Sequence, residues 1–322
     1  MLHGAKGELW NRVASRVGGP ECEAREMREN LVLLRVGPNS LHEKWLDDDG
    51  SRNWDLYLSP YVSLAPQGID CMVGDVVSGP KWSGIREVLH TWSGWRDYDR
   101  IWLPDDDILT SQNVINQMFD VAHGVGLDLF APALDATSYY AHFDMLQNRS
   151  FFGRWVGFVE IMVPGFSRTA LETLLPTLDL SETGWGLGLD SVWPKLLNYR
   201  NVGVIDALTV THTRPIGQRR DEELAKRMLD ESDAILEQYD CDQVHATLGV
   251  FGEDLAPVHL PSEVLLAEVV TGWQYVFERD PRVLAWIVDF QKRFATWPDY
   301  PVEGTPDRDP PARAQKVLPA AR

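Results

Sequence analysis

Short apolar runs closed by Gly or Pro alternate with segments of helical periodicity over most of this chain, and that alternation is the feature that most restricts its fold. "NLVLLRVG" (30–37) and "NWDLYLSPY" (53–61) each have the length and closure of a buried strand. "WSGIREVLHTW" (82–92) then places apolar residues at helical spacing, with Ser83 as its expected N-cap, and "DYDRIWLP" (97–104) reads as a third strand. A helix over 111–125, a strand over 128–134 and an irregular aromatic segment, 137–155, follow. "VGFVEIMVPGFSRTALETLLPTL" (156–178) reads as strand, Pro-Gly break and a helix capped by Ser167, and a further strand runs through "NVGVIDALTVTHTRP" (201–215). Strands that alternate with helices over this length predict an α/β sandwich with a mostly parallel central sheet.

Beyond residue 220 the character changes to acidic amphipathic helices, 222–240 and 262–280, which predict a C-terminal helical appendage. The expected division is a helical lead-in over 1–29, the α/β domain over 30–220, the appendage over 221–296 and a Pro-rich, charged, flexible tail over 297–322. With 30 basic and 48 acidic residues the formal charge is −18, which repels phosphate backbones and argues against a nucleic-acid partner. Cys22, Cys71 and Cys241 are odd in number and widely spaced, so neither a disulfide framework nor a zinc knuckle is expected. The charged start "MLHGAKGELWNR" has no apolar core and no stretch is long enough to span a membrane, so a cytoplasmic protein is expected.

Three stretches carry chemistry. In "RIWLPDDDIL" (100–109) three carboxylates, Asp105, Asp106 and Asp107, follow a strand whose pairing Pro104 interrupts. Their mutual repulsion would be relieved by a hard divalent cation, Mg²⁺ or Mn²⁺, although an acidic turn before a helix has the same composition. "ETGWGLGLDSVWPKLL" (182–197) sets Trp185 among glycines that can bring backbone close to a ligand, with Asp190 at the start of a helical run, where it could also be a simple cap. "TVTHTRPIG" (209–217) ends a β-branched strand at His212, with Arg214 and Arg219 nearby, and imidazole is the usual nitrogen ligand of a site begun by carboxylates.

In this order the motifs resemble the GT-A fold of metal-dependent nucleotide-sugar glycosyltransferases over about residues 30 to 217. Within that fold "GPKWSGI", "DDD" and "THTRP" look most like an uncharacterised domain-of-unknown-function family of plants and bacteria. The resemblance implies a nucleoside diphosphate sugar as donor, a carbohydrate or other hydroxyl acceptor, and Mn²⁺ or Mg²⁺ held by Asp105, Asp107 and His212. It implies donor contacts from Val36, Gly37, Lys81, Asp105 and Asp106. Asp190 takes the position of an inverting base, preceded by Leu189 where relatives often carry a second acid, and Glu160 on the "FVEIMV" strand is the alternative base. Trp185, Gly186, Tyr139, Tyr140, His142 and Phe143 are expected near the acceptor or sugar. Two other readings stay open: a nucleotidyltransferase or metal-dependent phosphohydrolase using the same carboxylates, and a non-catalytic protein that binds a nucleotide or glycan.

Overall fold

A computed structural model describes residues 27–46, 50–64, 67–217 and 221–294; most of the expected lead-in, the tail from 297 and Arg219 lie outside these. The strands are β1 (Asn30–Val36), β2 (Trp54–Pro60), β3 (Met72–Val73), β4 (Arg100–Trp102), β5 (Ile108–Leu109), β6 (Leu129–Leu134), β7 (Gly153–Gly157), β8 (Gly165–Ser167), β9 (Val202–His212), β10 (Val244–Phe251) and β11 (Pro257–Val258). The helices are α1 (Lys81–Thr91), α2 (Gln112–Val125), α3 (Arg168–Leu174), α4 (Leu189–Leu196), α5 (Glu222–Gln238), α6 (Ser262–Gly272), α7 (Gln274–Phe277) and α8 (Arg282–Phe294).

The central sheet runs β11-β10-β7-β9-β6-β8-β4-β1-β2-β3. Strands β1 to β4, β6, β9 and β10 point one way, and only β7, β8 and β11 oppose them on this path, so the sheet is mostly parallel as the alternation predicts. Every residue of β1, β2 and β6 is buried, including Arg35 and Asp55, which is why these strands are mostly apolar without a polar face: a strand covered on both faces has no solvent side to alternate toward. Trp45, Trp54, Trp82, Trp95, Trp102 and Trp193 are fully buried, so these tryptophans fill the core and are not presented to a sugar.

Several local expectations are corrected. Pro80, not Ser83, is the N-cap of α1, and the Ser83 hydroxyl donates to the Pro80 carbonyl from within the first turn. The Ser167 hydroxyl caps α3 as expected, and the Ser111 hydroxyl, not anticipated from the sequence, caps α2, each accepting from the backbone three residues on. The strand expected through "FVEIMV" ends at Gly157, so Glu160 lies on the turn that follows. The acidic helices beyond 220 are present, but they enclose β10, which pairs antiparallel with β7 and continues the central sheet. That strand was missed because the surrounding charge dominates the local composition. No helix among the described residues is long and apolar enough to cross a membrane.

Candidate metal and catalytic centre

Pairing of β5 with β9 builds the first half of the site. The register sets Ile108 opposite His212, and the Thr213 N–H and hydroxyl both donate to the Asp107 carbonyl, at 3.2 and 2.8 Å. Asp107 and His212, 105 positions apart, thereby meet with Oδ2 and Nε2 at 3.2 Å. The His212 Nδ1 lies 2.7 Å from the Tyr139 carbonyl, which can only accept, so Nδ1 carries the proton. Nε2 faces the ionised Asp107; burial pulls the imidazole down, but the hydrogen bond and charge of Asp107 more than offset it and raise the ring above its usual range. A cation would take the place of the Nε2 proton while the backbone carbonyl keeps Nδ1–H, as for a metal-ligating histidine. Asp105, Asp107 and His212 each present a ligand atom within 4.8 Å of the others, and two carboxylates with one imidazole suit Mn²⁺ or Mg²⁺.

Asp106 points elsewhere. It accepts from the Tyr61 hydroxyl at 3.0 Å and from Arg214 Nη1 at 2.9 Å, so its charge is neutralised away from the other two. Gly37, at the end of β1 after buried Val36, makes this possible: a Cβ there would stand 2.1 Å from the Tyr61 hydroxyl oxygen. Lys81, the first residue of α1, sits 2.7 Å from Asp105 Oδ1 and donates to the carbonyls of Ile161 and Met162 at 2.7 and 2.9 Å. An ammonium has three donors, and in this arrangement all three are met by protein.

The turn after β7 supplies the second half. Leu103 and Asp105 donate backbone N–H bonds to Pro164 and Met162, both at 2.9 Å, which lays this turn along the carboxylate segment. Glu160 is buried there and its Oε2 has no hydrogen-bond partner. Burial, followed by the charges of Asp190, Asp144 and Asp105, pushes its carboxyl well above the usual range against the opposing pull of Lys81. Asp190 is the second residue of α4, whose N-cap is Gly188 at φ +90°, so the aspartate is not the cap. Burial raises its carboxyl to about 7, opposed by His245 and by backbone N–H groups of the helix start. For Asp107 burial works upward too, but His212 and Arg214 more than offset it, and its carboxyl stays below the ordinary value.

Two site residues escaped the sequence reading. Asp144, in the irregular segment, and His245, on β10, pair through Oδ2 and Nδ1 at 3.0 Å, and both are buried. His142 stacks on His245 with ring centroids 5.0 Å apart and 14° between planes, and Phe158 and Phe290 pack on His245 at 4.3 and 5.2 Å. Burial, aided by His245, lowers His142 to about 4, so its ring is neutral at pH 7. The available signal was the strand alternation in "QVHATLGVF", which would have placed His245 on a strand but not shown that it is buried.

The expected acceptor residues divide. Tyr139 and Tyr140 have exposed side chains, and the Tyr139 carbonyl accepts from the His212 ring, whereas Phe143 is buried against Trp273. Trp185 is half-buried in a loop that Glu231 of α5 ties down through Ser181 and Thr183. Gly186 has φ +79° and a Cβ there would lie 2.5 Å from the Trp82 ring, so close packing on Trp82 accounts for this glycine without a ligand.

No family model matches the chain, and no curated protein matches it. Among solved structures it is similar to S. aureus TarS residues 1–349 in complex with UDP, with 9% identity and a TM-score of 0.44 over 67% of this chain and 68% of that one. The same protein in complex with UDP-GlcNAc gives 10% identity and a TM-score of 0.43, covering 66% and 71%.

Proposed function

We propose that the chain is a nucleotide-sugar glycosyltransferase that holds a divalent cation on Asp105, Asp107 and His212 and transfers sugar to a hydroxyl with Asp190 as base. The observation that carries this reading is the trio, with the His212 Nδ1 proton directed at the Tyr139 carbonyl, linked through Glu160, whose charge couples to both Asp105 and Asp190, to a buried Asp190 carboxyl raised to about 7. Bound there, the cation would neutralise the donor diphosphate and stabilise the charge on the leaving group.

The chain's own residues take the remaining roles. Lys81 holds Asp105 in place and offsets its charge, and Arg214 does the same for Asp106. At neutral pH Asp190 is partly ionised, so it can take the acceptor's proton. Glu160, kept protonated by burial and neighbouring acids, is a poor base and instead can donate a hydrogen bond to a sugar oxygen. Exposed Tyr139 and Tyr140 offer ring faces to an acceptor at the mouth of the site.

A panel of nucleoside diphosphate sugars, incubated with Mn²⁺ or with EDTA, tests the reading. Metal-dependent release of nucleoside diphosphate from one donor is expected. Phosphate release irrespective of the sugar would instead identify a phosphohydrolase, and binding without turnover a non-catalytic protein.

A further inference from the structure

His142, Asp144 and His245 lie in a part of the site that the transfer reading leaves without a task. Each presents a ligand atom within 4.8 Å of the other two. Two neighbouring ligand atoms on a tetrahedral ion with bonds of about 2.1 Å stand roughly 3.4 Å apart, so modest side-chain rotation closes this trio on a cation. The 3.0 Å separation of His245 Nδ1 and Asp144 Oδ2 already approaches that value. A second observation points to a missing ligand. Asp144 is buried and its Oδ1 has no hydrogen-bond partner. A buried carboxylate oxygen without a donor is costly, and a cation at this position would remove that cost.

The donor chemistry separates this group from the first. Asp105, Asp107 and His212 offer two oxygens and one nitrogen, whereas His142, Asp144 and His245 offer two nitrogens and one oxygen, the composition favoured by Zn²⁺ and Co²⁺ over Mg²⁺ or Mn²⁺. We propose that His142, Asp144 and His245 form a second divalent-cation site of transition-metal type beside the Asp105, Asp107 and His212 site. Three ligands leave a coordination position open, so the ion could take a water or a substrate oxygen. This inference does not depend on the transfer reaction.

Co²⁺ titration of the EDTA-treated full-length chain, followed by calorimetry and by visible absorption, is the test. Wild type is expected to bind two equivalents. Asp144→Asn, which keeps the side-chain shape, and His142→Phe, which keeps the ring stack, should each bind one, and Asp107→Asn should lose the other. A single equivalent in wild type, or two equivalents retained in both Asp144→Asn and His142→Phe, would overturn the second site. Should a variant fail to give a cooperative melt, the wild-type stoichiometry alone decides between one site and two.

Discussion

At the scale of single residues, Asp107 and Asp190 carry the most weight, and each yields a separable prediction. Asp107→Asn removes a charged ligand while keeping its volume, so the rise in Tm that Mn²⁺ gives wild type should be abolished, as scanning calorimetry with and without EDTA would show. Asp190→Asn cannot accept a proton, so turnover should fall on the order of a hundredfold while donor affinity holds. In wild type turnover should rise with pH through about 7, and the variant should lack that limb. Stability moves the opposite way. The carboxyl is raised from 3.8 in the open chain to about 7, so its contribution is complete below 3.8 and lost as pH rises through 7. Denaturant melts in EDTA should therefore show Asp190→Asn gaining on wild type between pH 5 and pH 8. Glu160→Gln, already neutral in function, should spare more activity than Asp190→Asn.

Among the elements, the loop before α4 shows how local geometry sets the position of Asp190, the proposed base. Gly184, Gly186 and Gly188 all have positive φ, and α4 starts where the last of them ends the loop. Glu231 on α5 fixes the loop by accepting the Ser181 and Thr183 hydroxyls and the Thr183 N–H, at 2.7 to 3.0 Å. Gly186→Ala combines a left-handed backbone with a collision against Trp82, so it should cost at least about 1 kcal/mol, measured by urea denaturation. Because Asp190 follows within the same rigid segment, that variant should also lower turnover more than it weakens donor binding.

Across the whole molecule, strand pairing decides which distant residues meet. Arg154 of β7 and Asp206 of β9 are fully buried and joined by two bonds, at 2.7 and 3.1 Å, and the same guanidinium donates to the Asp144 carbonyl at 3.0 Å. Arg154→Met would strand the Asp206 charge in the core and should cost roughly 3–5 kcal/mol, read from the denaturation midpoint. The alternation of apolar runs and helical segments, together with Ser167 as a cap, was legible in the sequence because strand burial and capping are local consequences of residue type. The acidic triplet and His212 were legible as metal-ligand types. That Asp106 turns away to Tyr61 and Arg214, that Lys81 is consumed by Asp105, and that Asp144 meets His245 across 101 positions were not. These depend on the β5–β9 register and on β10 joining β7, contacts between segments far apart in the chain. The sequence by itself determined the α/β class and the residue types available for chemistry, since periodicity and side-chain character are properties of short segments. Only the tertiary structure decided which carboxylates share a buried space, because proximity, burial and the resulting charge coupling arise when the sheet closes.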